Sequence, residues 1–432
     1  HIDQAFPHLL RAAERAQSRF ALSEALVLYK QAVAAAPWRD YRDEPLHVQD
    51  AIRLYENIGD ILALLGDYGG ARAQYEQLLD LLKTNQRKEL MSRRAALQRK
   101  IGSTHENQGS LEPALSWLQR AAGTFRSMPR DSDAQVEHAR ILSDIGWVHF
   151  RQGDLNQAQR HLIRALALAK PHAVHDEQAR ILNRLGGIAF TRGDPALAQE
   201  YVEQSLAASQ RSGNLVGQAS ALNNLGILTE SRGHIDESIR YGLEALDINE
   251  RIGSRRELAI TAINLGWAFY DQGQYERAAE YLTLAISTAI AVRDTYHHML
   301  ALLNLGRVQL AQERWDQATQ SLEASHERAV ELNLDPFQLE AQIALAELAL
   351  RQRRLDAALQ LYQQALPLAT DPESEEYGRF QRLGARIAAA QGDKSRAIML
   401  LEASAALFAR LHNTPEADRT RRLLADVTNA VE

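Results

Sequence analysis

Small and apolar residues recur along the chain three or four positions apart, and polar residues fill the positions between them. Ala158, Leu162 and Ala165, for example, fall on one face of a helix. The strict alternation of apolar and polar residues that is typical of strands is nowhere sustained. Composition agrees, because the helix formers Ala, Leu, Arg, Gln and Glu dominate, while Pro numbers 11 and Gly 24. The pattern predicts an all-α protein.

The helical pattern repeats with a period of about 40 residues. Six segments such as NLGWAFYDQGQYERA align without gaps. Their first glycines are Gly59, Gly102, Gly146, Gly186, Gly226 and Gly266. A second glycine follows each after seven residues, at Gly66, Gly109, Gly153, Gly193, Gly233 and Gly273. The series continues with Glu313 and Arg353 in place of the second glycine. A fixed period over nearly the whole chain predicts an α-solenoid of about nine to ten helix pairs.

Each repeat position has a physical reason. The first glycine lies where the second helix of the pair crosses the first, and a side chain there would push the two backbones apart. The second glycine ends the first helix in a left-handed conformation. An aspartate often follows, as Asp154 and Asp194 do, at the start of the second helix, where a carboxylate suits the helix dipole.

These motifs resemble the tetratricopeptide repeat, in the longer form of about 40 residues that occurs in kinesin light chains and in adaptors with Leu-Gly-Asn repeats. The segment at residues 221–253 is the best single match. The resemblance implies a right-handed superhelix that binds protein or peptide ligands on its concave side. Residues 8–37 also resemble the first helix pair after the ATPase module of bacterial STAND regulators of the MalT type. That resemblance implies an attached NTPase or effector domain outside this chain.

We expect three parts along the chain: a divergent helix pair at residues 1–46, the repeat array at 47–412, and a capping helix at 413–432. A polar segment at residues 36–47 is the predicted linker between the first two parts. The sequence opens on His1 instead of Met, as we expect of a piece of a longer protein.

The ligand-binding residues implied by the resemblance are the helix positions on the concave wall. The expected peptide-binding residues are Arg140, Trp147, Phe150, Arg180, Asn183, Phe190, Asn223, Glu230, Trp267, Tyr270 and Arg307. Aromatic and Arg side chains often anchor interfaces, and Asn can grip a peptide backbone. An alternative is that the aromatic residues pack against the neighbouring repeat and only build the superhelix. Asn224, Asn264 and Asn304 are expected to bond between helices.

Two further clusters have alternatives. Arg379, Arg382 and Arg386 fall on one side of a helix and form either a site for an acidic partner or phosphate, or a solvated face. His172, His175 and Asp176 share one loop and are either a metal-ligand set or solvated loop residues.

Charge and motifs exclude several functions. The net charge of -6, without a basic stripe, argues against nucleic-acid binding, and no apolar run is long enough for a membrane span. With no cysteine and no visible leader, we expect a soluble cytoplasmic protein, and the resemblance to STAND regulators implies a bacterial one. No nucleotide-binding glycine motif and no catalytic constellation is present, so we predict no enzymatic activity and no cofactor.

The leading hypothesis is a peptide- or protein-binding sensor or adaptor that holds its ligand in the concave groove. Two alternatives remain: a self-assembling structural scaffold, and the small-ligand sensor arm of a STAND-type transcriptional or signalling regulator.

Overall fold

The computed structural model describes residues 2–19, 21–36, 45–83, 88–125 and 132–429, and all regular structure in these ranges is helical. The α-helices are α1 (Ile2–Ser18), α2 (Leu22–Ala34), α3 (Pro45–Leu64), α4 (Tyr68–Lys83), α5 (Lys88–Asn107), α6 (Leu111–Thr124), α7 (Ser132–Arg151), α8 (Leu155–Ala169), α9 (His175–Thr191), α10 (Pro195–Ser212), α11 (Leu215–Ser231), α12 (Ile235–Ile252), α13 (Arg255–Asp271), α14 (Tyr275–Ala291), α15 (Thr295–Ala311), α16 (Trp315–Glu331), α17 (Asp335–Arg351), α18 (Leu355–Ala365), α19 (Glu375–Ala390), α20 (Lys394–Arg410) and α21 (Thr414–Asn429).

The helices form consecutive pairs, from α1 and α2 to α19 and α20, and α21 follows the last pair. Within a pair, small and large residues of the second helix are fully buried, as Ala278, Leu282 and Ala285 are in α14. Neither helix of a pair can bury its apolar face alone, so the pairs stack and bury these faces against one another. The predicted all-α repeat solenoid is confirmed.

The first glycine of a repeat lies at a close helix crossing, as predicted. A Cβ atom on Gly266 would lie 2.6 Å from Cγ of Leu282 and 3.3 Å from the carbonyl oxygen of Ala278. Both distances are too short for a relaxed contact, so α13 and α14 approach this closely because the side chain is missing.

The second glycine makes the turn within a pair. Gly153 has a φ of +83°, its N–H donates to the carbonyl of Phe150 at 3.0 Å, and the N–H of Asp154 donates to the carbonyl of His149 at 2.9 Å. The Asp154 carboxylate then accepts from the N–H of Gln157 at 2.9 Å and caps α8. Glu313 has a φ of +60°, so the turn keeps the same backbone geometry without glycine.

The chain divides into two compact units, residues 1–188 and 189–432, which we call unit 1 and unit 2. In unit 1, α5 contacts α7 and is linked to α3 by the ion pair of Lys100 with Glu56. In unit 2, each of α11, α13, α15 and α17 contacts the next odd-numbered helix as well as its pair partner. We call the odd-numbered helices the inner helices and the face that they form the inner face. The predicted linker at residues 36–47 lies mostly outside the described residues, and the three-part division stays a prediction. In the described ranges, no helix combines the length and the apolar character that a bilayer span requires.

Candidate functional site

Asp144 on α7 is the centre of a charged network on the inner side of unit 1. Its carboxylate accepts hydrogen bonds from Arg180 at 2.7 Å, from Arg184 at 2.9 Å and from Arg99 at 3.3 Å. Arg99 lies on α5, and the other two arginines lie on α9. The carboxylate therefore ties together the inner helices of three successive repeats.

The network sets the protonation of its central carboxyl. Burial alone would raise the pKa of Asp144, but the guanidinium groups of Arg180, Arg184 and Arg99 lower it well below its ordinary value. Sequence reasoning missed Asp144, although a signal was present. Lys100, Asp144 and Arg184 each stand two residues before the first glycine of successive repeats, with charges that alternate in sign.

Of the two aromatic residues predicted for the groove in unit 1, Trp147 contacts a neighbouring repeat. Its indole N–H donates to Glu106 of α5 at 3.2 Å, and Arg151 also pairs with Glu106 at 2.6 Å. The Phe150 ring stacks on Trp147 of the same helix, with 5.1 Å between ring centroids. The contact of Trp147 supports the alternative in which this residue packs between repeats, and a ligand role for both aromatic residues stays a prediction.

An open groove lies at the N-terminal ends of the inner helices of unit 1, with a volume of about 740 Å³. We call it the N-terminal groove. It is lined by Val48, Gln49, Ile52, Leu90, Ser92, Arg93, Ala96, Ser132, Asp133, Val136, Glu137, Arg140, His172 and Val174. Of the expected ligand residues, Arg140 contributes to this lining. The volume is within the range of ligand sites.

Six apolar side chains and eight polar or charged ones line the groove. Arg140 pairs with Glu137 at 3.1 Å and with Glu177 at 3.6 Å, and its side chain remains 41% exposed. His172 contacts Ser132 and Gln135, at 3.1 and 2.9 Å. In the part of the chain that the structure describes, no group of three His, Asp or Glu side chains is arranged to hold a metal ion, so the His172, His175 and Asp176 set is not assembled.

The inner face of unit 2 carries many charged side chains. We define this inner face by the residues Glu230, Trp267, Tyr270, Asp271, Arg307, Glu340, Glu347, Arg379, Arg382 and Arg386. The Trp267 ring stacks on Tyr270 at 5.1 Å, and the Arg307 guanidinium lies 5.6 Å from the Trp267 ring centroid. Arg307 also pairs with Glu340 of the next inner helix.

Asparagines link the inner helices of unit 2. The side-chain amide of Asn264 on α13 donates to Asn223 on α11 at 2.9 Å. The expected bond between helices is therefore confirmed for Asn264. This bond occupies the side-chain oxygen of Asn223, a residue that the sequence analysis predicts to bind a ligand.

The arginines of α19 bind carboxylates of the chain itself. Arg379 donates to Glu340 and to Glu375, each at 2.7 Å, and Arg382 pairs with Glu416 of α21. Arg382 is only 7% exposed. The solvated arginine face, one of the two alternatives, is wrong for Arg382, because Glu416 of the C-terminal helix α21 pairs with this arginine and the side chain is buried there.

Glu230 lies among other carboxylates on the same face. Burial first, and then the carboxylates of Asp271, Glu375 and Glu416, raise its pKa to about 8, while the guanidinium of Arg379 opposes them. A neutral Glu230 at pH 7 follows from this.

The expected ligand residues are thus divided between the two units. Unit 1 holds Arg140, Trp147, Phe150, Arg180 and Asn183. Unit 2 holds Phe190, Asn223, Glu230, Trp267, Tyr270 and Arg307. Phe190 is exposed and Asn183 is partly buried.

Comparisons with known proteins agree with this repeat geometry. A family model described as Tetratricopeptide repeat matches residues 137–211, 177–251, 217–291 and 298–371, which together are more than half of the chain. Two further models with the same description match residues 263–326 and 52–83. No curated protein sequence matches the chain.

Solved structures share the fold at low sequence identity. A Rap protein complexed with competence and sporulation factor is 14% identical, with a TM-score of 0.55 over 88% of this chain and 98% of that chain. Aspartyl phosphate phosphatase F from Bacillus subtilis is 13% identical, with a TM-score of 0.52 over 85% and 94%. A Signal Transduction ATPase with Numerous Domains (STAND) protein with a tetratricopeptide repeat sensor, from Pyrococcus horikoshii, is 15% identical, with a TM-score of 0.56. The match covers 79% of this chain and 52% of that chain.

Proposed function

Because this chain belongs to the tetratricopeptide-repeat family, we propose that it is a protein- or peptide-binding sensor or adaptor and not an enzyme, and that the N-terminal groove holds its ligand. The observation that carries the proposal is the groove itself, a cavity of about 740 Å³ across three inner helices. In a ligand site, apolar side chains supply contact area, and polar or charged groups fix the orientation of the ligand; the lining of this groove has both.

The size and lining of the groove favour an extended peptide segment. It spans the starts of α3, α5 and α7, and helices that pack about 10 Å apart place roughly 20 Å between the outer two. An extended chain covers that distance with about six residues. Val48, Ile52 and Val136 supply apolar contacts, and Arg93 and Arg140 at the rim can hold a carboxylate of the ligand.

A bound segment would act as a sensor input because it contacts three repeats at once. Each inner helix carries residues of the groove, so the ligand favours those angles between repeats that let it contact all three helices. In a solenoid, small rotations between repeats add along the array. The ligand therefore raises the population of those conformations of the array in which the angles between repeats let it bind best.

The comparisons support a sensor role. One similar structure is of a Rap protein complexed with competence and sporulation factor, and another is of a STAND protein with a tetratricopeptide repeat sensor. This chain matches about half of the STAND protein, 52% of its length. A second candidate function is therefore the sensor arm of a larger signalling regulator, with the effector domain outside this chain.

The test is peptide binding to the full chain and to two variants. Peptides are selected from a displayed random library, labelled, and titrated by fluorescence anisotropy. Val136→Arg places a long cation in the groove, whereas Ile163→Arg makes the same kind of change at a side chain that is 50% exposed on α8. Circular dichroism and thermal melting check that both variants fold.

We expect Val136→Arg to weaken binding by about tenfold or more, a cost of about 1.4 kcal/mol, and Ile163→Arg to leave it unchanged. Equal affinities of the parent and both folded variants would refute the assignment to the N-terminal groove. Binding that is lost only with Ile163→Arg would move the site to the outer face of unit 1.

A further inference from the structure

The two halves of α21 have different environments. In its C-terminal half, Leu423, Leu424 and Val427 pack against the apolar cluster that α19 and α20 form around Leu401. This half closes the end of the last helix pair, as a terminal capping element does.

The N-terminal half of α21 extends along the inner face of unit 2 to much earlier repeats. Arg419 donates to Asp271 of α13 at 2.6 Å, and its guanidinium lies 5.5 Å from the ring centroid of Tyr270. A Cβ on Gly233, in the turn after α11, would lie 3.8 Å from the Thr414 methyl group. Arg419 and Asp271 are 148 residues apart in sequence, so these contacts are not those of a cap on the last pair.

The contacts of this half are charged and specific. Glu416 pairs with Arg382, and Arg382 also donates to the hydroxyl of Thr420 at 3.2 Å. Glu416 and Arg419 pair with each other at 2.7 Å, one turn apart on the inward side of α21. Burial opposes the charge of Glu416, but Arg382, Arg379 and Arg419 lower its pKa to about 2. The helix thus presents a carboxylate to arginines and an arginine to a carboxylate.

We propose that the inner face of unit 2 is a binding site for an amphipathic helix with a glutamate and, three residues later, an arginine on one side. α21 is the chain's own occupant of that site, and a partner helix with the same charge pattern displaces its N-terminal half. The site is independent of the N-terminal groove, which lies in unit 1.

The raised pKa of Glu230 is consistent with an α21 that can be displaced. The charged groups that face it are Asp271 of α13, Glu375 and Arg379 of α19, and Glu416 of α21. Glu416 is thus one of the carboxylates that oppose the ionisation of Glu230. Displacement of α21 removes this carboxylate, so occupancy of the site should weaken as pH rises toward the raised pKa of Glu230.

The chain offers a matched pair of variants for the test. Glu416→Ala with Arg419→Ala removes the inward pair. Asp418→Ala with Arg421→Ala removes an ion pair with the same separation of three residues in sequence. Its charged atoms are 2.8 Å apart, and its side chains are 54% and 56% exposed. Both changes leave Asp271 and Arg382, the receiving residues, intact. The probe is a fluorescent peptide with the sequence of residues 412–429, added to the full-length proteins.

We expect the inward double variant to bind the peptide about tenfold or more tightly than the parent, because its own helix no longer holds the site in competition. The outward double variant is expected to match the parent, and a peptide that carries the two inward substitutions is expected to bind weakly to all three. Equal affinities of the three proteins would overturn the proposal.

A second measurement uses the parent protein alone, so it does not depend on the folding of a variant. Excess unlabelled peptide is expected to speed hydrogen exchange in residues 414–420 while α20 stays protected. Unchanged exchange in residues 414–420 at saturating peptide would also overturn the proposal. Neither measurement involves the N-terminal groove, so failure here and failure of the proposed function are distinguishable.

Discussion

Gly226 and Gly266 occupy the same position in adjacent repeats, but an added methyl group should have opposite effects on them. Sixteen residues after the first glycine, the second helix carries Leu282 opposite Gly266 and Gly242 opposite Gly226. A Cβ on Gly266 would lie 2.6 Å from Cγ of Leu282, whereas a Cβ on Gly226 would meet its nearest atom, the carbonyl oxygen of Ser238, at 3.4 Å.

The free energy of unfolding follows from two opposing effects. Replacing glycine by alanine inside a helix stabilises the folded state by up to about 1 kcal/mol. Overpacking a tight contact typically costs about 1–3 kcal/mol. Gly266→Ala has both effects and should lose up to about 2 kcal/mol, since Leu282 is fully buried and has little room to move aside. Gly226→Ala has only the first and should be neutral or gain up to about 1 kcal/mol.

The measurement is urea denaturation of both variants, followed by circular dichroism, with hydrogen exchange of α13 and α14 as a local readout. The local readout is needed because a repeat array can unfold in steps. If Gly226→Ala destabilises as much as Gly266→Ala, the close approach of the helices is not the reason for the glycine. A Gly266→Ala/Leu282→Ala double variant should lose less than the sum of the single changes.

Three further predictions concern charges and turns. Asp144→Asn leaves Arg99 and Arg184 without their shared carboxylate and should cost about 3 kcal/mol in urea denaturation, whereas equal stability would refute the network. Glu313→Gly replaces a residue whose side chain disfavours the left-handed conformation, so the free energy of unfolding should rise by about 1 kcal/mol and the melting temperature with it. A lower melting temperature would contradict the reasoning. The folded chain holds the Glu230 proton up to a pKa of about 8, so stability should fall as pH rises from about 4.5 to about 8. Glu230→Gln should flatten that dependence in melts across pH, and an unchanged slope would assign it to another group.

The repeat frame was predictable from sequence because its determinants are local. The first glycine is needed by one crossing within a pair, as between Gly266 and Leu282, and the second by one turn, as at Gly153. Both needs recur with the same period, so a single chain shows them repeatedly, although the crossing at Gly226 is relaxed by Gly242 opposite it.

The contacts of the inner surfaces were less predictable because they depend on stacking. The pairing of Asp144 with Arg184 was visible only as charges of opposite sign at one repeat position, and the direction of those side chains follows from the packing of neighbouring repeats. The contact between Arg419 and Asp271 depends on the sum of the rotations between all intervening repeats. No local pattern in the sequence contains that sum.

Mapping the bound ligand on the full chain is the most direct test of whether a peptide binds in the N-terminal groove. Hydrogen exchange is measured with and without a peptide selected for binding, at a concentration that saturates it. We expect new protection at the starts of α3, α5 and α7, where Ile52, Ala96 and Val136 line the N-terminal groove, and no change in α4, α6 and α8. Protection confined to α4, α6 and α8, or to unit 2, would contradict it.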